Sequence, residues 1–414
     1  MTDAATEAVP APMTAQAVAR RIAVFGPYSS RNFGDTAIQM AVISNLRARL
    51  PQAEIVGICH RARDTLETHG IHAYPLSGDP AEMLDAPVSQ AEPATTLRRL
   101  RHIHRIAGSI DLLLISGSGQ LDDFWGGPWA HPWAMFAWSL MVRLRGGRVA
   151  VLGIGLDTLA HPLSRFFAFT ALRLAGRRVY RDSGTLDYLQ AAGLRNAGHV
   201  CPDLVFSFPT RALPVRPASA GTAQRVMVCP ISQRAFRKQP GNAYERYIDT
   251  LLSVCSELAG AGYAIRLANS QVDMDGQMLR DVAAALRGRA GPSANIEIRE
   301  ATTVPEYLAL AAEADVVVAS RMHGLLLALL AGTPVVGISY TRKVRQVLQD
   351  VGCESSCIDL GDVTASSLMA LVKKAIDLPL ADRQRLEQTK SSMRSELARE
   401  YDEIAVLVST GGRR

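Results

Sequence analysis

Lysine is scarce in this 414-residue chain: only five of its 45 basic residues are lysine (Lys238, Lys343, Lys373, Lys374 and Lys390), so arginine carries nearly all the positive charge. The net charge of +6 mildly favours anionic partners. No basic run interleaved with aromatics is present, which argues against a nucleic-acid partner. Cysteine is sparse as well. The six stand at positions 59, 201, 229, 255, 353 and 357 without a C-x-x-C pair, so neither a disulfide framework nor a zinc pattern follows. Six small buried hydrophobes in a reducing cytoplasm are expected instead. No apolar run reaches the roughly 18–20 residues of a membrane span without Gly, Pro or charge interrupting it. Residues 1–16 carry acids where a secretory signal carries bases, and residues 1–19 read as a disordered tail. No metal-ligand cluster is visible, so neither a metal nor a cofactor is expected.

What remains is an ordinary globular composition, 48% hydrophobic and 20% charged, in a chain too long for one core. Short β-branched runs alternate with helical patterns, the signature of parallel α/β architecture. Strands are expected at Arg21–Phe25, Glu54–Cys59, 111–116, 148–153 and 178–181. Residues 210–224, rich in Pro, Ala and Ser, read as a linker, and a second strand series opens at Arg225. Beyond residue 381, Leu386, Met393, Leu397, Tyr401, Ile404 and Val408 recur on one helical face. The expected fold is two Rossmann-like domains (20–209 and 225–380) facing a central cleft, closed by a long helix within 381–414.

One stretch concentrates the functional question. "VVVASRMHGLLLALLAGTPVVGISY", residues 316–340, is almost wholly apolar yet contains Arg321 and His323. "VVVAS" suits a central parallel strand, and "GLLLALLAG" a buried helix stopping at Gly332. Arg321, Met322 and His323 then fall between a strand's carboxyl end and a helix's amino end, where α/β sheets bind ligands and free N–H groups receive anions. The competing reading pairs Arg321 with a core acid and makes His323 a structural histidine. Two cationic-capable groups at one junction favour function.

Other junctions carry weaker signals. "RNFGDTAI" puts Asp35 near the start of the first helix with Gly34 before it; a plain N-cap explains the pattern equally well. It is neither G-x-G-x-x-G nor a P-loop, so a nucleotide is not signalled. "YRDSGTLDYL" places Arg181, Asp182 and Ser183 at another strand end, Arg181 being a second candidate anion ligand. Asp203 precedes the linker, and Gln233, Arg234 and Arg237 follow the second domain's first strand, where a solvated loop is the competing reading. All four tryptophans, 125, 129, 133 and 138, fall within residues 125–148. Either they pack a helix into the core, or they dock on a membrane's inner face with Arg143, Arg145 and Arg148 on anionic head groups.

"RNFGDTAI", "YRDSGTLDYL" and "ASRMHGLLLALLAGTPVVGISYTRK", in this order and spacing, resemble the polysaccharide pyruvyltransferase family. One departure is plain: residues 116–120 read SGSGQ where many members carry consecutive glycines. The resemblance implies a GT-B-like pair of domains and transfer of pyruvate from phosphoenolpyruvate to two sugar hydroxyls as a cyclic ketal, with release of phosphate. It implies a sugar or lipid-linked saccharide acceptor, and a role in exopolysaccharide or cell-surface glycan synthesis. A donor with adjacent carboxylate and phosphate needs convergent cations, for which Arg321 and Arg181 are the candidates. Ketal formation needs an acid and a base. His323 is the candidate acid or phosphate hydrogen-bond donor, and Asp35 the candidate base with Asp203 as substitute. Asn32, Gly34, Ser183, Gln233, Arg234, Gly324 and Lys343 complete the expected binding set. A nucleotide-sugar glycosyltransferase or epimerase on the same scaffold is the nearest alternative, and a non-catalytic glycan-precursor-binding protein the second.

Overall fold

A computed structural model describes residues 20–28, 32–79, 95–123, 126–216, 224–236 and 241–410. The expected tail, part of the expected linker, Trp125 and Arg237 lie outside the described residues, as does the side chain of Arg234. Strands β1 (Arg21–Phe25), β2 (Glu54–Cys59), β3 (Ala73–Pro75), β4 (Leu112–Ser116), β6 (Arg148–Ile154), β8 (Arg177–Tyr180) and β9 (His199–Val200) form one parallel sheet, ordered β3-β2-β1-β4-β6-β8-β9. Two short strands, β5 (Leu121–Asp122) and β7 (Leu156–Thr158), pair beside it; they were not expected from sequence. A second parallel sheet has the order β12-β11-β10-β13-β14-β15. Its strands are β10 (Arg225–Cys229), β11 (Ala264–Ala268), β12 (Ile296–Arg299), β13 (Val316–Ala319), β14 (Val335–Ser339) and β15 (Cys357–Asp359).

The runs of apolar residues are the cause of this layout. β4 (LLLIS) and β13 (VVVA) are buried throughout, as strands covered on both faces must be. Helices α1 (Phe33–Arg49) and α2 (Ala62–His69) follow β1 and β2, while α3 (Thr96–Ala107), α4 (His131–Leu144), α5 (Pro162–Leu174) and α6 (Ser183–Ala191) serve the strands from β4 to β9. The second half carries α7 (Ala243–Gly260), α8 (Val272–Ala290), α9 (Val304–Ala312), α10 (Met322–Leu330), α11 (Arg342–Asp350) and α12 (Ala365–Ile376). β13, α10 and β14 are the strand, buried helix and strand expected of residues 316–340.

The two halves share one apolar core. A single cluster of buried side chains runs from Ile22, Val24 and Phe33 to Val317, Leu325 and Leu329. Helix α13 (Leu380–Ser409) closes it along Leu397, Tyr401, Ile404 and Val408. Its first half belongs to the second sheet, where buried Lys390 donates to the Leu329 carbonyl at 2.8 Å, the C-terminal end of α10. Its second half grips the first sheet: Glu400 pairs with Arg177 at 2.6 Å and His199 at 2.8 Å, and Arg49 pairs with Asp402 at 2.6 Å. All six cysteines are free; four are buried, but Cys353 and Cys357 are only half-buried.

Tyr401 is fully buried, with its hydroxyl 3.1 Å from Ser207 Oγ. Tyr401→Ala is expected to cost about 3–5 kcal/mol of unfolding free energy in a denaturant titration, and Tyr401→Phe about 1 kcal/mol. A loss below 1 kcal/mol for the alanine variant would show that α13 does not hold the halves together.

Candidate functional site

The amino end of α10 is the centre of the site. β13 stops at Ala319, and buried Ser320 lies 2.9 Å from the Tyr247 hydroxyl, which also accepts from the Ile231 N–H at the end of β10. Arg321 is the extended N-cap residue of α10, and its Nη2 donates to Asp275 Oδ1 at 3.2 Å. Asp275 is wholly buried; its other oxygen accepts the N–H groups of Ser270 and Gln271. The guanidinium is thus pinned along one edge while Nε, itself buried, has no partner. The core acid of the competing reading exists, and it leaves the remaining donors of Arg321 available to a ligand.

His323, one residue into α10, points the other way. A Cβ built on Gly34 would meet His323 Nδ1 at 2.0 Å, so only glycine lets the start of α1 approach the imidazole. The same approach seats Phe33 against Tyr307, ring centroids 5.8 Å apart, and forms an antiparallel bridge between Asn32 and Gln271. Asn32 also caps α1, accepting from the N–H of Gly34 at 3.0 Å and of Asp35 at 3.4 Å. Gly324 is buried, its carbonyl accepting from the Tyr307 hydroxyl at 2.9 Å.

His323 Nε2 faces Asp203 Oδ2 at 3.7 Å. Asp203 is an N-cap: its Oδ1 accepts from the Val205 N–H at 2.9 Å, which leaves Oδ2 pointing at His323 and at Arg181 Nη1, 4.0 Å away. Neither Nε2 nor Oδ2 has a partner within hydrogen-bonding distance, although both are buried. Catalytic pairs commonly stand this loosely until a substrate tightens them. Buried Arg181 is steered by Asp182, whose Oδ2 accepts from Nε at 3.4 Å while Oδ1 caps α6 through Thr185. Gly155 is to Arg181 what Gly34 is to His323: a Cβ there would sit 2.4 Å from Nη2.

Asp35 completes the group from the first turn of α1, buried. Burial pushes its carboxyl above the ordinary range and the charge of Asp203 adds to this; His323, a hydrogen bond from Ser118, and Arg181 only partly oppose it. Asp203 moves the other way. Burial raises it too, but His323, Arg181 and the Val205 N–H outweigh burial and hold it ionised below the usual range. Two carboxylates in one pocket are thereby driven apart, the pattern that separates a proton acceptor from a fixed charge. Ser118 sits in the left-handed region at φ 62° beside Gly117 at φ 63°. The Gln120 amide donates to the carbonyls of Phe25, Ser116 and Gly117 and holds that loop in shape. The SGSGQ segment therefore supplies a side chain to Asp35.

Ser183 and Gln233, two of the expected residues, are not part of this buried group. Ser183 is exposed on the first residue of α6, and Gln233 is exposed at the head of a groove between α7 and α8. Lys343, in the first turn of α11, is lowered to about 8 by burial, with Asp122 of β5 as its opposing charge. Asp275 and Ser118 went unrecognised in the sequence. Asp275 looks like any acid in a first helical turn, and nothing local shows that it is buried under Arg321. Among the described residues no group of three or more His, Cys, Asp or Glu side chains is placed to hold a metal ion. No described helix is long and apolar enough to cross a membrane.

The profile of the family described as polysaccharide pyruvyl transferase matches residues 32–342, from Asn32 through the His323 junction to the start of α11. The chain belongs to that family. Its members are transferases, and a saccharide acceptor follows from the family. A search of curated proteins by sequence finds no relative. Among solved structures, a UDP-GlcNAc 2-epimerase from Neisseria meningitidis bound to UDP-GlcNAc superposes with TM-score 0.59 at 11% identity, over 95% of this chain and 100% of that one. A glycosyltransferase from Rickettsia africae gives 0.59 at 9% identity, covering 96% and 100%. MurG from Acinetobacter baumannii gives 0.51 at 12%, covering 95% and 100%. The two parallel-sheet domains have the GT-B fold.

The two carboxylates predict opposite stability profiles. Asp35, raised in the folded state, contributes stability that is present below about pH 4 and lost as pH rises through its folded value. Asp203, lowered, contributes stability present above about pH 4 and lost as pH falls through its folded value. Thermal unfolding against pH should therefore find Asp35→Asn at least as stable as the native protein at pH 8, with the advantage vanishing in acid. Asp203→Asn, which leaves the buried Arg181 guanidinium without this carboxylate, should lose roughly 3–5 kcal/mol at pH 8. Losses of equal size in both variants would contradict the assignment.

Proposed function

We propose that the site transfers the pyruvyl group of phosphoenolpyruvate to two hydroxyls of a saccharide, forming a cyclic ketal and releasing phosphate in the course of surface-glycan or exopolysaccharide synthesis. The observation that carries this reading is the meeting of His323 with ionised Asp203 and Arg181, beside a carboxyl of Asp35 raised by burial. Phosphoenolpyruvate brings a carboxylate and a phosphate on neighbouring atoms. Arg321, with donors left over from Asp275, and Arg181 offer two separated cations to them. The free N–H groups at the start of α10 add a third anion contact.

Protonation of the methylene carbon turns C=CH2 into an oxocarbenium-like centre bearing a methyl group. One sugar hydroxyl adds to that carbon and loses its proton. The C–O bond to phosphate then breaks, and the second hydroxyl takes its place. Two hydroxyl protons leave the acceptor; in the balance one is on the methyl group and one on the phosphate. Asp35 accepts a hydroxyl proton, a task for which a raised carboxyl is better matched near neutral pH than an ordinary one. His323, held by Asp203, delivers the proton to carbon or to the departing phosphate. In this reading the cationic stabilisation falls to arginine, with no resident metal or cofactor, in the reducing cytoplasm that six free cysteines suit.

The test is phosphate release from phosphoenolpyruvate with candidate saccharides, assayed in EDTA. His323→Ala and Arg321→Ala should each lower turnover by roughly 10²–10⁴-fold in protein that circular dichroism shows to be folded. Near-native turnover in either folded variant, or thermal stabilisation by UDP-sugars and none by phosphoenolpyruvate, would move the protein to the nucleotide-sugar alternative. Gly34→Ala should act like a milder His323 variant, because a methyl group there displaces the imidazole. A misplacement of about 1 Å costs on the order of 100-fold in kcat. Unaltered kcat in Gly34→Ala would remove His323 from the chemistry.

A further inference from the structure

Helices α3, α4 and α5 lie over one face of the first sheet, with Ile103, Ile106, Met135, Trp138, Phe169 and Leu172 turned into its core. Their outward side has an unusual charge pattern: none of the three contains an Asp or Glu. Between Gly126 and Tyr180 the chain has one acid, Asp157. Arg98, Arg101 and Arg105 on α3, Arg143 on α4, and Arg165 and Arg173 on α5 are all exposed. At the far end of α3 and α4, the Arg145 guanidinium lies over Gly108.

Apolar groups stand among these arginines. Trp129 is 62% exposed, Leu144 66% and Phe166 56%. The two aromatics belong to a stacked base that fixes their outward direction. The Trp129 ring lies 5.5 Å from both Trp133 and Phe167, and Phe136 lies 5.3 Å from Phe167 and 6.3 Å from Phe166. The structure also redistributes the residues grouped by the sequence. Trp138 is core, its indole N–H bound to the Leu76 carbonyl at 3.0 Å, and Arg148 is committed to the Leu407 carbonyl of α13 at 2.7 Å. Trp125 lies outside the described residues. A segment that only packs the core would have hidden all of its rings; this one hides Trp138 on α4 and presents Trp129 from the short 3-10 turn Gly127–Trp129 before it.

We propose that the α3–α4–α5 surface docks on an anionic lipid bilayer. Trp129 and Phe166 enter the interfacial layer, and the flanking arginines meet the lipid phosphates. An acid-free set of arginines complements a negatively charged leaflet, while rigid aromatics suit the boundary between head groups and chains. A helix that follows a parallel strand begins at the carboxyl end of the sheet, so the aromatic start of α4 and α5 lies on the same side as the cleft. This docking stands independently of the donor substrate.

The experiment is co-sedimentation of the full chain with phosphatidylcholine vesicles, with and without phosphatidylglycerol, at low and high salt. The native protein should sediment with the phosphatidylglycerol vesicles, release at high salt, and ignore pure phosphatidylcholine. Trp129→Ser with Phe166→Ser, and separately Arg98→Glu with Arg101→Glu, should each lower partitioning at least about tenfold with unchanged circular dichroism. Native protein left in the supernatant, or variants that sediment like it, would overturn the proposal. So would a solution dimer that the Trp129/Phe166 variant splits, since the occupant would then be a second copy of this chain.

Discussion

The structure turns on one side chain that crosses between its halves. His323 starts from the second sheet and ends against Gly34 and opposite Asp203, both carried by the first. A half-buried imidazole, a buried guanidinium and two buried carboxylates are each unfavourable alone; together, each lowers the cost of the others. The arrangement survives only while the halves stay in register. The Phe33–Tyr307 contact, the bridge from Asn32 to Gln271 and the apolar cluster beneath them hold that register. Helix α13 adds a second clasp, from the Leu329 carbonyl to Glu400.

Within this frame the neighbouring Arg321 and His323 have different attachments. Arg321 is fixed within its own half by Asp275, so its position does not depend on how the halves meet. The surroundings of His323 come almost wholly from the opposite half. The anchoring of Arg321 is therefore complete within the second half, whereas the setting of His323 exists only where the halves meet, although the two residues are only two positions apart in the chain.

Much of the fold was legible because continuous apolar runs have few ways to be buried. β1 and β2 match their expected bounds, and the face of α13 was readable from its helical repeat. Where Arg321 and His323 would lie was legible for the same reason, since a buried strand followed by a buried helix leaves charge only at the junction. Their partners were not. Asp35 read equally well as a cap and Asp203 as part of a solvated loop; Asp203 is in fact a cap, and its second oxygen does the rest. Asp275 and Ser118 matter through contacts with residues 46 and 83 positions away, for which a single sequence has no local signal. The tryptophan segment was ambiguous for a physical reason: it turns Trp138 of α4 into the core and Trp129, in the turn before α4, to solvent.

Gly34 and Gly155 bear on how such a site is written into a chain. Neither is in the left-handed region, so backbone conformation does not require glycine at either position. What excludes a side chain is the group opposite: the imidazole of His323 at one and the guanidinium of Arg181 at the other. The two glycines mark, from the first half, the outline of the two side chains that line the pocket. Asp182 lies against Arg181, and Asp203 faces both Arg181 and His323. His323 and Arg181 hold the Asp203 carboxylate ionised, and its charge adds to the burial that raises Asp35. The readiness of Asp35 to accept a proton is thus set first by burial and then increased by a residue 168 positions away.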